Sequence, residues 1–234
     1  MPPVGFMRSA IPRETCSFYD SALYQLDFFH GFLDHVKATG APLDFFSWHS
    51  YDNVENTLKM AQYVTESLNQ HGFAGLETQC NEWNNANALE CRGTSYASAQ
   101  AAAMMIAMHD TQTDIMCYYD ARIGPSNYGG LFNPMTHRPV CTYYAFQAFG
   151  ELYALGHRVA AAGGNDTLRV LAASDGTEDG ARAVLLVNTG HAETVETDLD
   201  GMTVYLVDQD HFLTKTDWDS HAFSVGENQV VLLM

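Results

Sequence analysis

The amino-acid sequence predicts an α/β chain in which strand–helix units, residues 1–157, precede an antiparallel β-sandwich, residues 158–234. Two patterns support this prediction. In the first part, apolar runs of strand length alternate four times with helical segments, which implies parallel strands joined by right-handed crossovers. In the second part, short apolar runs are separated by turn sequences such as DGTEDG and DLDG, which indicate antiparallel strands.

Composition limits the classes of partner. The chain has 234 residues, of which 47% are hydrophobic and 17% charged, and this balance is typical of a globular protein with a substantial core. Its formal net charge of −17 repels phosphate backbones and anionic lipid. We therefore expect no nucleic-acid or membrane partner, and a neutral, hydroxyl-rich ligand suits the surface better. No apolar run reaches the roughly 20 residues that a membrane span needs.

The cysteines and histidines predict neither a disulfide framework nor a metal site. The five cysteines are odd in number and contain no C-x-x-C pair. The N-terminus has no basic region followed by an apolar core, so we predict a reducing, cytoplasmic location unless a longer gene adds a signal upstream. The ten histidines lack zinc-site spacing, and no nucleotide-binding motif occurs, so no cofactor is expected.

Four helices follow from periodicity and capping signals. The first starts near Ser17 or Asp20 and ends at Gly40, and the second is capped by Asp52 or Asn53. His71-Gly72 ends that second helix. The third and fourth helices are predicted over residues 95–109 and 142–155.

The predicted strands alternate with these helices. Apart from a possible strand remnant in the opening PPVGF, the parallel strands cover residues 43–48, 73–80 and 113–119. Their continuous apolarity suits strands that are covered on both faces. The sandwich strands are predicted over residues 168–172, 183–187, 194–199, 203–207 and 229–233.

Polar and aromatic side chains follow the parallel strands at the point where each strand ends. Ligand sites of α/β folds lie at the carboxyl ends of the strands. A carboxylate, amides and aromatic rings together are typical of carbohydrate sites, where they meet an anomeric carbon, hydroxyls and the C–H face of a sugar. The residues concerned are His49 and Tyr51, then Glu82, Trp83 and Asn84, then Tyr119 and Asp120.

In this order and spacing, the segments DFFSWHSY, LETQCNEWN and DIMCYYDA resemble clan A glycoside hydrolases, most closely glycoside hydrolase family 39 (GH39), the β-xylosidase and iduronidase group. The resemblance implies the C-terminal half of a (β/α)8 TIM barrel, about strands 5–8, followed by the family's β-sandwich. It also implies that Glu82 is the catalytic nucleophile of a retaining glycosidase. By the same resemblance His49 and Tyr51 face the sugar, and Tyr119 lies where the clan often has a tryptophan under the sugar ring. Trp83, Asn84 and Asp120 are expected to line the site.

One required group is missing from the pattern. A retaining glycosidase needs a second carboxyl group, about 5 Å from the nucleophile, as general acid/base. In the clan this group is the Glu of an Asn-Glu pair on the fourth strand, and the pair in this sequence, Asn81-Glu82, is already assigned. Glu77 is about 17 Å away along an extended strand and is predicted on the opposite face. We therefore expect either a fragment or a chain that pairs with a second polypeptide supplying the missing half barrel, and no catalysis by this chain alone.

A noncatalytic alternative stays open at this point. The chain could be a carbohydrate-binding or assembly module that uses Trp48, Trp83, Tyr119 and Tyr128 as a stacking surface for sugar rings.

Overall fold

The computed structural model describes residues 16–86, 88–124, 130–197, 201–216 and 222–234, with side chains from residue 25 onward. The helices are α1 (Cys16–Thr39), α2 (Val54–His71), α3 (Ser95–Met108) and α4 (Cys141–Tyr153). The first strands are β1 (Phe45–Ser50), β2 (Glu77–Trp83) and β3 (Ile115–Tyr118). The later strands are β4 (His157–Val159), β5 (Leu168–Ser174), β6 (Arg182–Asn188), β7 (Glu193–Glu196), β8 (Val204–Val207), β9 (Phe212–Thr216), β10 (Ala222–Val225) and β11 (Gln229–Leu233).

The strand–helix part contains the predicted parallel sheet. Its order is β1–β2–β3, and both pairings are parallel. The prediction that both faces of the strands are covered is wrong for β1. Its side chains alternate between exposed and buried, and Phe45 is 47% exposed. Side chains such as Trp48 and Cys80 point into the helix-covered core, while those of Ser47 and His49 lie on an open face. The proposed strand remnant at residues 2–6 lies outside the described residues.

The start of β2 differs from the prediction for a local reason. Helix α2 ends in a Schellman motif, in which the Gly72 N–H donates to Asn69 O and the Phe73 N–H donates to Leu68 O. Gly72 takes the left-handed conformation that this cap requires, with φ of 93°. The apolar residues 73–76 therefore belong to the helix cap and the turn after it, and pairing begins at Glu77. The N-cap of α2 is Asn53, whose side chain accepts from the Asn56 N–H.

The C-terminal part consists of antiparallel strands in two sheets. One sheet has six strands in the order β4–β5–β6–β11–β8–β9, and the other pairs β10 with β7. The predicted runs correspond to β5, β6, β7, β8 and β11, whereas β4, β9 and β10 were not predicted. A buried cluster that includes Leu186, Val231 and Phe223 lies between the two sheets.

The two parts share one core. Helices α3 and α4 contact the six-stranded sheet, and α3 also contacts α2. Nearly every residue of α3 is buried, which explains why this Ala- and Met-rich helix has no polar face. The main buried cluster joins Trp83 and Met104 to Leu185 and Val230 across the predicted boundary at residue 157. Among the described residues, no helix is long and apolar enough to cross a membrane.

Candidate active site

A β-bulge in strand β2 determines where Glu82 points. Trp48 pairs with Cys80, but the next residue of β1, His49, pairs with Glu82, so Asn81 is an extra residue on β2. The pairing with β3 shows the same interruption between Cys80 and Trp83. Without the extra residue, strict alternation would put Glu82 on the buried side with Cys80. The bulge instead turns Glu82 to the open face of the sheet and Trp83 into the core.

Glu82 is held by two side chains from the end of β1. The Tyr51 hydroxyl donates a hydrogen bond to Oε1 of Glu82. The Nδ1 atom of His49 lies 3.4 Å from the other carboxylate oxygen, Oε2. The side chain of Glu82 is 28% exposed, so the carboxylate is oriented and still open to solvent. The structure thus brings together three of the residues that the sequence predicted for the site.

The end of β3 adds a second group beside this carboxylate. The ring of Tyr119 packs edge-on against the ring of Tyr51, with centroids 6.4 Å apart. Arg122 was not singled out from the sequence, yet its guanidinium lies 3.5 Å from the Tyr119 hydroxyl and 3.5 Å from Oδ2 of Asp120. Its proximity to the DIMCYYDA motif is the signal that could have identified it. Asp120 is buried and also accepts from the Arg122 N–H.

Asn84 connects the strand ends beneath the site. It is fully buried, and its amide donates to the Tyr119 carbonyl at 2.9 Å and to the Tyr118 hydroxyl at 3.2 Å. Its Oδ1 accepts from the Ala86 N–H. Burial raises the pKa of Tyr118 well above its ordinary value, although the Asn84 hydrogen bond opposes the shift. Asn84, which was expected to line the site, is instead fully buried and positions the backbone that carries Tyr119.

Trp83 also differs from its predicted role. Its side chain is 1% exposed, and its ring packs against those of Tyr118 and Phe146 in the core. Trp48 is likewise buried, at 8% exposure. A sugar ring needs an open aromatic face, so neither tryptophan offers a stacking surface in this structure. Two of the four residues in the noncatalytic stacking hypothesis, Trp48 and Trp83, are therefore not available to a sugar. A third, Tyr128, lies outside the described residues.

Glu77 lies on a different face of β2 from the one that the sequence predicted. Burial alternates along β2 so that Glu77, Gln79 and Asn81 share the open face, and the bulge brings Glu82 to that same face. Glu77 is therefore not on the opposite side of the sheet. Glu77 pairs with Phe45 and Glu82 pairs with His49, so the two glutamates are four residue steps apart along the sheet. At ~3.3 Å per residue this is about 13 Å, which is far beyond the spacing of a retaining pair.

The chemistry of the site is that of an oriented carboxylate with hydrogen-bonding and aromatic neighbours. Cys80, on the buried face of the same strand, does not take part in this chemistry. Burial raises the pKa of its thiol to about 12, so the cysteine stays protonated and behaves as a core residue. Within the described residues, no cluster of three or more His, Cys, Asp or Glu side chains could hold a metal ion.

Comparisons with solved structures find the same fold over most of the chain. A glucosidase from Croceicoccus marinus matches with a TM-score of 0.72 at 22% identity, covering 87% of this chain and 56% of that one. A GH39 β-xylosidase from Caulobacter crescentus matches with a TM-score of 0.64 at 18% identity, covering 87% and 53%. A GH39 enzyme from Xanthomonas axonopodis pv. citri matches with a TM-score of 0.55 at 14% identity, covering 86% and 56%.

The chain has a GH39-like fold. It spans a little over half the length of the three proteins that it matches. No protein-family model matches the sequence, and the search of curated proteins finds no match. The parallel and antiparallel sheets of this chain therefore match in fold a part of each of these three structures.

Proposed function

We propose that this chain carries the nucleophile half of a retaining glycoside hydrolase site, with Glu82 as the nucleophile. The observation that supports the proposal is the position of Glu82 on the open face at the carboxyl end of β2, held by Tyr51 and His49. The matched structures, a glucosidase and β-xylosidases, support the class of reaction. The substrate class is a neutral β-glycoside such as a β-xyloside or β-glucoside.

The proposal also assigns the architecture. The parallel sheet with its helices, in residues 1–157, is the later half of a (β/α)8 barrel, and residues 158–234 form the companion sandwich. The open face with Ser47, Gln79 and Asn81 then corresponds to part of the barrel interior. A further polypeptide segment supplies the remaining strands and the acid/base, so this chain alone does not turn over ordinary glycosides.

In the first step, one oxygen of Glu82 forms a bond to the anomeric carbon as the bond to the leaving group breaks. The leaving group departs with the electron pair and takes a proton from the acid/base. Tyr51 keeps Oε1 hydrogen-bonded, so that the carboxylate keeps its orientation during attack. We expect Tyr119, whose ring packs edge-on against that of Tyr51, to contact the sugar ring. Water later releases the sugar with help from the same acid/base.

A donor with a fluoride leaving group separates the nucleophile from the missing acid/base. Fluoride leaves without protonation, so 2-deoxy-2-fluoro-β-xylosyl fluoride and its glucosyl analogue should react with Glu82 and stop at the covalent intermediate. We expect the intact mass of the chain to rise by one fluorosugar, and peptide mapping to place the adduct on Glu82.

Two variants control this experiment. Glu82→Gln should take up no label, whereas Glu77→Gln removes another carboxylate from the same open face of β2 and should label like the unmodified chain. Labelling that persists in Glu82→Gln would contradict the assignment. Absence of any adduct with both donors, in a chain shown to be folded by circular dichroism, would count against a retained nucleophile site.

A further inference from the structure

A groove in the antiparallel part has no role in the proposed reaction. It is formed by two adjoining cavities of about 480 and 350 Å³ that share Val170, Leu186 and Val195. One wall is the stretch 159–165, which follows β4, and the other is strand β7 together with Thr197 and Met202. We call this feature the β7 groove.

The floor of the β7 groove is a sheet face that the second sheet only partly covers. Side chains of β5 and β6, including the half-buried Val170 and Val184, form this floor. Strands β7 and β10 cover the neighbouring part of the same face through Val195 and Phe223. The apolar surface thus continues past the edge of the two-stranded sheet.

Strand β7 borders this groove along its whole length. Within the described part of the chain it pairs with β10 alone, from Glu193↔Val225 to Glu196↔Ala222. The opposite edge of β7 faces the groove, because residues 193–196 all line it. The Glu193 carboxylate accepts from the Asn165 amide and the Thr167 hydroxyl, and these contacts tie one end of the strand to the far wall.

We propose that the β7 groove binds an extended polypeptide segment as an added strand beside β7. A strand edge supplies backbone donors and acceptors, and an apolar floor beside it accepts every second side chain of the incoming segment. The segment alternates apolar residues, which contact Val170 and Val184, with polar residues that face solvent. Basic side chains suit the outward positions, because Glu196 is exposed on the outer face of β7 and the chain carries a net charge of −17.

The test uses a short capped peptide that alternates valine with lysine and threonine. Its binding to the whole chain is followed by NMR-detected amide hydrogen exchange. We expect exchange to slow by about tenfold or more at alternate residues of β7, because only every second N–H of an antiparallel strand points to a given side. The outer edge of β9, which pairs with β8 alone among the described residues, is an internal control that should not change.

Two comparisons distinguish strand addition from unspecific association. The same peptide with prolines at two adjacent central positions loses one N–H group on each side of the strand, so one ladder donor is always removed and it should give no protection. Glu196→Lys should weaken binding by about fivefold through loss of one cross-strand charge pair, while Glu227→Lys, an equal charge change at an exposed site outside the groove, should not. Equal protection of β9, unaltered binding of the proline peptide, or no protection at β7 would each overturn the proposal.

Discussion

One extra residue decides the chemistry at the position of Glu82. Asn81 is the bulged residue of β2, and because of it Glu82 and His49 are paired on the open face while Trp83 enters the core. A bulge of this kind cannot be seen in an alternation pattern, since the motif QCNEWN is equally compatible with a regular strand. The orientation of the Glu82 carboxylate therefore depends on how β2 pairs with both of its neighbours, β1 and β3.

Asp208 gives the clearest pH dependence among the described carboxylates. Burial acts to raise its pKa, but hydrogen bonds from Gln229, the Asp210 N–H and His211 outweigh burial, and the pKa is lowered from its ordinary value of 3.8. A lowered pKa means that the ionised form stabilises the fold. This contribution is complete well above pH 3.8 and is lost as the pH falls through the lowered value.

We therefore expect Asp208→Asn to lower the free energy of unfolding at pH 7 by about 1 to 2 kcal/mol, through weaker hydrogen bonds to a neutral acceptor. The difference from the unmodified chain should shrink as the pH falls below about 4. Urea unfolding at several pH values measures it, with the exposed Asp210→Asn as the control. A difference that stays constant down to pH 2 would contradict the assigned cause.

At the scale of elements, helix ends determine where the strands begin. The Schellman motif at the end of α2 uses Gly72 in a left-handed conformation, and the chain pairs with β1 only from Glu77 onward. Gly31 is different, because it lies within helix α1 and an added Cβ there would meet no atom within 4 Å. The two glycines therefore have opposite energetic roles.

Gly72→Ala should destabilise the chain by about 1 to 2 kcal/mol, since alanine is strained at positive φ. Gly31→Ala should stabilise it by about 0.5 to 1 kcal/mol, because alanine costs less backbone entropy in a helix. Denaturant unfolding of both variants checks the prediction. A Gly72→Ala variant as stable as the unmodified chain would show that the cap of α2 does not need its glycine.

At the scale of the whole molecule, the parallel and antiparallel parts are joined by a common core. Helices α3 and α4 contact the six-stranded sheet, and Leu185 of β6 belongs to the same buried cluster as Trp48 and Trp83. The Cys141 thiol at the start of α4 also donates to the Asp208 carbonyl in the β8–β9 turn. Because these contacts are buried and mostly apolar, the two parts should unfold together.

Leu185→Ala tests this coupling. The substitution should cost about 2 to 5 kcal/mol, because Leu185 is fully buried. In a Trp218→Phe background, fluorescence reports Trp48 and Trp83 of the parallel part alone. We expect Leu185→Ala to lower the midpoint of this fluorescence transition as much as that of the far-ultraviolet signal. An unchanged fluorescence midpoint would show two independent units.

The parallel and antiparallel sheets and the residues at the strand ends could be predicted, but which of those residues are buried could not. The apolar runs before His49, Glu82 and Tyr119 predicted parallel strands, and the structure has them. Arg122 was missed because it follows the strand end in a loop, where no periodicity marks it. Strands β4 and β9 were missed because their side chains are mostly exposed, so no apolar run marks them. Strand β10 was missed because it pairs with β7, which is distant in the sequence.

The sequence by itself determined which groups are available at the strand ends, because hydrophobic periodicity and capping signals are local properties of the chain. It therefore predicted a carboxylate at Glu82 with a histidine and tyrosines nearby. Only the tertiary structure decided which of these groups face the open side and which are buried. Trp83 and Asn84 became core residues, and Glu82 became accessible, because lateral pairing in the sheet placed the bulge at Asn81.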